Sequence, residues 1–340
     1  MGATVPRTAP APERAPAPDQ APVVVRVDDA SKRFGDVAAV SHVTLQVEQG
    51  TILGLVGPSG SGKTTIVRML TGILAPTSGR VRVLGEDPTR YRRRTRERIG
   101  YMPQHFILYP DLTAAENVSF VAALFGLYWR RRSRRVREVL ELAQLWDARD
   151  RRAGQLSGGM QRRLALACAL VHDPAVLFVD EPSAGIDPIL RQAIWAEFRR
   201  RRDAGRTLFV TTQYVGEAEY CDRVALLAEG ELVGLAAPAD MRRQALGGEV
   251  IELELSRPVE TADLAALGGV SDVRWTGPRT LLVVAESASE ATPRVLQALA
   301  GMGGDVVRSR EYRPTFDEVF AELVARHRAT REEAERLGDG

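Results

Sequence analysis

With 340 residues and 44% hydrophobic content, the chain is long enough for two domains and has the apolar complement of an ordinary globular protein. Its 46 basic and 44 acidic residues nearly cancel to a formal +2, so no overall field marks nucleic acid or an anionic surface as the partner. No apolar run reaches the roughly 18 residues of a membrane span, and the start carries Arg7 and Arg14 without an apolar leader segment. Two cysteines, Cys168 and Cys221, lack metal-ligand spacing and suit a reducing compartment.

Residues 1–22 are dominated by Ala and Pro and read as a disordered, locally extended tail. The pattern changes at Val23. Val23-Val24-Val25-Arg26-Val27 and Val43-Thr44-Leu45-Gln46-Val47 read as strands, and Thr51-Ile52-Leu53-Gly54-Leu55-Val56 as a short buried one. Between the first two, Lys32-Arg33-Phe34-Gly35 reads as a loop whose aromatic could stack on a base. An isolated Phe34 would by default be core or turn packing.

Gly57-Pro58-Ser59-Gly60-Ser61-Gly62-Lys63-Thr64-Thr65 matches G-x-x-x-x-G-K-[ST]. A strand precedes it and the apolar run Ile66-Val67-Arg68-Met69-Leu70 continues it as a helix, which is the context a phosphate cradle needs. Glycines let the backbone wrap an anion so that amide N–H groups point inward, and the helix adds its positive end. Lys63 would reach the β- and γ-phosphates, Thr64 would place its hydroxyl on Mg²⁺, and Thr65 would lie near the α-phosphate. The plainer reading is a glycine-rich turn before an ordinary helix.

Further on, Arg80-Val81-Arg82-Val83-Leu84 and Ile99-Gly100-Tyr101-Met102 read as strands, separated by an Arg-rich run at residues 90–98. Gln104 opens the connection that follows, and residues 112–146 read as helices carrying a second Arg cluster at 130–137. Such clusters are usually solvated helix faces, ahead of nucleic-acid binding. In Leu156-Ser157-Gly158-Gly159-Met160-Gln161-Arg162, the serine is a good N-cap and the glycines leave the start of the next helix bare enough to receive an anion.

Ala175-Val176-Leu177-Phe178-Val179-Asp180-Glu181-Pro182 is an apolar strand that delivers two carboxylates to a sheet edge. Asp180 can hold a metal and Glu181 can orient and deprotonate an attacking water. A surface acidic pair is the other reading, but such pairs rarely follow a strand of this kind. Ser183-Ala184-Gly185-Ile186-Asp187-Pro188 leads into a helix, Thr207-Leu208-Phe209-Val210-Thr211-Thr212 reads as another strand with Gln213 at its end, and Arg223-Val224-Ala225-Leu226-Leu227 closes the core.

Four motifs in this order resemble the ATP-binding-cassette ATPases: the 57–65 loop, Gln104, the Leu156–Met160 signature and the Asp180-Glu181 strand end. The resemblance spans residues 23 to about 245, with a helical subdomain at about 104–172. It implies an α/β P-loop cassette with a mixed core sheet, ATP and Mg²⁺ as ligands, and two cassettes packed head to tail, the second expected to be the same chain. Ser157, Gly158 and Gly159 would then contact the γ-phosphate bound by the partner, Asp187 would communicate across the interface, Gln104 would sense Mg²⁺ and the transporter, and Phe34 would stack on adenine. The family usually has His where this chain has Gln213. Glutamine can donate a hydrogen bond to phosphate but carries no charge.

Residues 249–311 read strand, helix, strand, strand, helix, strand, the ferredoxin-like order of a small α+β accessory domain at 249–326, followed by a charged tail at 327–340. This part, with Arg313-Pro314-Thr315-Phe316-Asp317-Glu318-Val319-Phe320, resembles the C-terminal domain of daunorubicin-type drug-exporter cassettes, a group that tolerates Gln at position 213. The resemblance implies the ATPase subunit of an exporter, peripheral on the cytoplasmic face of the membrane. Its partners would be a separate integral membrane permease and a second ATPase subunit, with no nucleic acid. A cassette acting on the ribosome or DNA and an importer ATPase are the rival readings. The first usually carries two cassettes or long coiled coils, and the C-terminal domain disfavours the second.

Overall fold

The computed structural model describes residues 21–104 and 108–338. Most of the expected tail at 1–22 lies outside the described residues.

In chain order, β1 (Val23–Phe34), β2 (Val37–Glu48) and β3 (Ile52–Val56) lead into α1 (Lys63–Leu70), β4 (Ser78–Val83), α2 (Arg93–Arg96) and β5 (Ile99–Met102). The helical region holds α3 (Ala114–Leu124), α4 (Trp129–Leu142) and α5 (Gly158–Leu170). Then come β6 (Val176–Asp180), α6 (Pro188–Asp203), β7 (Thr207–Thr212), β8 (Arg223–Ala228), β9 (Glu231–Ala236) and α7 (Pro238–Leu246). The last part comprises β10 (Glu249–Leu255), α8 (Ala262–Ala265), β11 (Val270–Trp275), β12 (Thr280–Ala285), α9 (Ala288–Gly301), β13 (Val306–Tyr312) and α10 (Phe316–Gly338).

The central sheet has six strands in the order β5-β6-β7-β3-β8-β9, parallel except for β9. Helices α5 and α6 pack on one face, and α1 together with the three-stranded antiparallel sheet β2-β1-β4 covers the other. Covered on both faces, β3, β6 and β7 bury every residue, which is why they read as unbroken apolar runs. The C-terminal ends of β5, β6, β7 and β3 therefore line up along one edge, where the crevice of an open parallel sheet accepts ligands.

Two differences from the sequence reading stand out at the start of the chain. β1 and β2 form one long hairpin, and Phe34 is the last residue of β1, paired with Val37, rather than part of a loop. Register shifts between Val27 and Ala30 and again near Lys32 break the apolar alternation, so the pattern hides the second half of the strand.

The four strands of the C-terminal part form an antiparallel sheet in the order β11-β12-β10-β13, the ferredoxin-like arrangement, around a core of its own. Residues 327–338 continue α10 as helix instead of leaving as a tail. Phe316 and Val319 of α10 are buried in the core of the cassette part, with Phe320 and Leu323 packed against it. His327 meets Glu231 at 2.8 Å and Arg328 meets Glu229 at 2.6 Å, tying the same helix to the β8–β9 turn.

Candidate active site

The loop at residues 57–65 leaves the end of β3 with glycines where a side chain would not fit. A Cβ on Gly57 would lie 2.1 Å from the Leu227 carbonyl oxygen, and Gly62, at φ 102°, would place one 2.5 Å from the Ala39 carbonyl oxygen. The loop thus hugs β8 and β2 closely enough to wind tightly before α1 begins. Pro58, Ser59 and Gly60 face solvent, Ser61 is buried with an unpartnered Oγ, and Thr64 and Thr65 are half-buried at the start of α1.

Lys63 is buried at the heart of this loop. Its Nζ donates to the carbonyls of Gly57 and Pro58, both at 2.8 Å, and lies 3.9 Å from Glu181 Oε1. Burial pulls its pKa below the usual lysine value, while the negative charges of Glu181 and Asp180 oppose that shift. A negatively charged ligand in the loop would favour the ammonium form in the same way, so the site is electrostatically prepared for an anion.

The carboxylates arrive from the neighbouring strands. Asp180 closes β6 with no exposed surface; its Oδ1 accepts a short hydrogen bond from the Thr211 hydroxyl on β7, and its Oδ2 has no partner. A buried acceptor left unpaired costs about 1–3 kcal/mol, so the oxygen calls for a cation or a water. Glu181 follows with a left-handed backbone at φ 53°, a conformation worth roughly 1–3 kcal/mol of strain that persists where the surroundings enforce it. Here its N–H donates to both the carbonyl and the hydroxyl of Thr211, at 3.1 Å each. Its Oε2 accepts from Gln104 Nε2 at 2.9 Å.

Lys63, Gln104, Asp180 and Glu181 are therefore brought together at one sheet edge. Thr211, which the sequence presents only as a strand residue, positions both carboxylates. A polar residue completing an otherwise apolar buried strand was the signal for it. Ser183, which the sequence presents as part of a turn, is also buried with an unpartnered hydroxyl.

Other expected residues stand apart. Ser157 caps α5 by accepting the Met160 N–H at 3.3 Å, and Ser157 and Gly158 are exposed. A Cβ on Gly158 would meet nothing within 4 Å, and one on Gly159 only the Gly185 carbonyl oxygen at 3.9 Å, so nothing within this chain requires glycine there. Asp187 caps α6 through the Leu190 N–H at 3.0 Å and is exposed, followed by a solvent-facing Ile189. Arg162, about one turn into α5, donates to the Ala184 carbonyl at 2.6 Å and so links α5 to the segment before Asp187. Gln213 is exposed and Phe34 is 48% exposed at the hairpin tip, with Lys32 Nζ 5.4 Å from its ring centre.

No group of three or more His, Cys, Asp or Glu side chains able to hold a metal occurs among the described residues. A magnesium ion carried by a nucleotide needs only one or two protein oxygens in addition to phosphates and water, and the open Asp180 Oδ2 and the Thr64 hydroxyl fit that donor set.

Residues 40–184 match the family described as ABC transporter, and residues 238–324 match the family described as ATP-binding protein DrrA1-3-like, C-terminal domain. The chain is 37% identical to the daunorubicin resistance ATP-binding protein DrrA3 of Streptomyces coeruleorubidus over 91% of its own length and 98% of that protein's. The chain belongs to the ABC transporter ATP-binding proteins. It is also 39% identical to the probable multidrug ABC transporter ATP-binding protein YbhF of Escherichia coli over 66% of its length, although it spans only 39% of that longer relative. Among solved structures, a dimeric post-hydrolysis state of the ATP-binding cassette MJ0796 bound to ADP and Pi superposes with a TM-score of 0.58 at 28% identity, covering 63% of this chain and 98% of that one. The cassette fold read from the motifs and the DrrA-like C-terminal part are both present.

Proposed function

We propose that this chain is the ATP-hydrolysing subunit of an exporter, working as a pair of cassettes beneath a separate membrane permease and moving a drug, antibiotic or other amphipathic compound. The observation that supports this most directly is the division of the motifs into two sets. Lys63, Gln104, Asp180 and Glu181 converge on one edge, while Ser157, Gly158 and Gly159 form a bare, outward helix start with no bond to that edge among the described residues. A helix start left open to solvent is suited to capping a phosphate held by a second copy.

In this reading the 57–65 loop wraps the phosphates with its amides, and Lys63 leaves the Gly57 and Pro58 carbonyls to pair with the β- and γ-phosphates. Thr64 and Asp180 would hold Mg²⁺, which when bound neutralises phosphate charge as the γ-phosphoryl group transfers. Glu181, held between Gln104 and Lys63, accepts a proton from the attacking water. Gln104 is the residue through which a shift in the helical region would reach Glu181, since it opens the connection to α3. Gln213 donates a neutral hydrogen bond to the γ-phosphate, Phe34 stacks on adenine, and Asp187 contacts the second copy.

Export is the reading that the names of DrrA3 and YbhF favour over an importer or a ribosome-acting or nucleic-acid-acting cassette. Among the described residues no helix is long and apolar enough to cross a membrane, which fits a peripheral subunit on the cytoplasmic face that needs a permease partner. The test is co-purification of the tagged chain with a membrane protein from its native cells, followed by measurement of Mg²⁺-dependent ATP turnover. Turnover abolished by Lys63→Ala supports the proposal, and a chain recovered with ribosomes instead would overturn it.

A further inference from the structure

The helical region carries an apolar, cationic edge that the catalytic scheme does not use. Phe120 and Leu124 lie one turn apart on α3, and Tyr128 and Trp129 follow where the chain turns into α4; Leu124, Tyr128 and Trp129 are 67%, 69% and 85% exposed. Trp129 is the more unusual because its backbone sits at φ 45°, a conformation that bulky side chains avoid. Its ring makes no aromatic or cation–π contact among the described residues.

Charge at this edge is lopsided although the chain as a whole is nearly neutral. Residues 117–137 contain six arginines and no acidic residue. Arg134, Arg135 and Arg137 are paired with Glu138 or Glu141, whereas the guanidinium groups of Arg130, Arg131 and Arg132 have no ion pair or hydrogen bond among the described residues. These three arginines thus adjoin the exposed aromatics Tyr128 and Trp129 and the exposed apolar pair Phe120 and Leu124.

A bilayer interface matches this combination. Trp and Tyr settle at the level of the headgroups, Leu and Phe reach the upper acyl region, and arginines extend to the phosphates. Single-stranded nucleic acid would use the arginines and stack on the rings but would gain nothing from Leu124. We propose that Phe120, Leu124, Tyr128 and Trp129, together with Arg130, Arg131 and Arg132, form a surface that rests on the headgroup layer of an anionic lipid bilayer. It would hold the helical region against the membrane independently of nucleotide and of the permease.

The test is co-sedimentation of the full chain, without nucleotide, with vesicles of phosphatidylcholine alone or with one third phosphatidylglycerol, at low and high salt. The proposal expects anionic vesicles to be bound and phosphatidylcholine vesicles to be bound weakly, with salt weakening the preference. Each arginine near such a surface is worth about fivefold in partitioning, so Arg130→Gln, Arg131→Gln and Arg132→Gln together would lose on the order of 100-fold. Leu124→Ala with Trp129→Ala would lose about tenfold or more. A readout independent of these variants is quenching of tryptophan fluorescence by brominated lipid, expected to fall sharply in Trp129→Phe. Equal binding to both vesicle types, variants that bind like the parent, or no quenching attributable to Trp129 would overturn the proposal. So would uptake of polyuridylate in preference to vesicles that survives Leu124→Ala.

Discussion

The Thr211 hydroxyl donates to Asp180 Oδ1 across the β6–β7 pair, and the same oxygen accepts the Glu181 N–H at 3.1 Å. One side chain therefore fixes which oxygen of Asp180 stays open and holds Glu181 in its left-handed turn. Thr211→Val keeps the shape of the strand and removes both bonds. ATP turnover should fall about 10- to 100-fold while nucleotide affinity changes little, and Thr211→Ser should restore most of the rate. Turnover and nucleotide binding measured over a magnesium titration check this, and a Val variant as fast as the parent would remove Thr211 from the site.

The two glycine sets should behave oppositely. Ala at Gly57 must displace the Leu227 carbonyl, 2.1 Å from its Cβ, so the cradle is pushed open and ATP affinity should drop tenfold or more. At Gly159 there is room, so Gly159→Ala should unfold within about 0.5 kcal/mol of the parent and bind ATP normally, yet lose turnover. Isothermal titration, thermal unfolding and turnover on the two variants separate a residue that shapes its own loop from one that meets a second copy.

A stability slope in acid should trace to His172. Its ring stacks on Phe125 with centroids 3.7 Å apart, its Nε2 contacts the Ile99 carbonyl at 3.0 Å, and burial lowers its pKa to about 4. The unfolded chain binds a proton there below about 6.5 while the fold does not until about 4, so stability from this group is complete above 6.5 and is lost as the pH falls between those values. The loss is on the order of 3 kcal/mol. Thermal unfolding of parent and His172→Gln across that window should show a shallower slope in the variant.

Gln213 directly follows β7, beside the open edge, without a charge to lend. Gln213→His should raise turnover by about tenfold and introduce a pH dependence centred near 6.5, absent from the parent. A pH–rate profile of both proteins decides it; unchanged rate and shape would show that position 213 does not reach the phosphate.

Much of the site was legible because the parallel strands are buried on both faces. β3, β6 and β7 appear as apolar runs, and each ends in residues that apolar packing does not explain: Gly57, Asp180-Glu181 and Gln213. What stayed hidden depends on neighbours that lie far away in sequence. Thr211 gained its role from pairing with Asp180, and the second half of β1 was masked by register shifts against β2. The residues from 327 looked like a solvated tail by composition, yet they continue α10, with Arg326 paired to Glu322 at 2.8 Å within the helix and His327 and Arg328 reaching the β8–β9 turn. In the sequence Trp129, an aromatic beside an arginine cluster, resembles ordinary helix packing, and only its exposure sets it apart.

The central claim is that ATP is held between two copies, with one supplying Lys63, Asp180 and Glu181 and the other Ser157, Gly158 and Gly159. Glu181→Gln keeps the hydrogen-bonding shape of the side chain but cannot take a proton from water, so bound ATP should persist. Sedimentation equilibrium of this variant with Mg²⁺-ATP should show conversion from monomer to dimer with one nucleotide per chain, and the conversion should fail when Gly159→Ala is added. A variant that remains monomeric at saturating ATP, or a dimer indifferent to Gly159, would contradict the account.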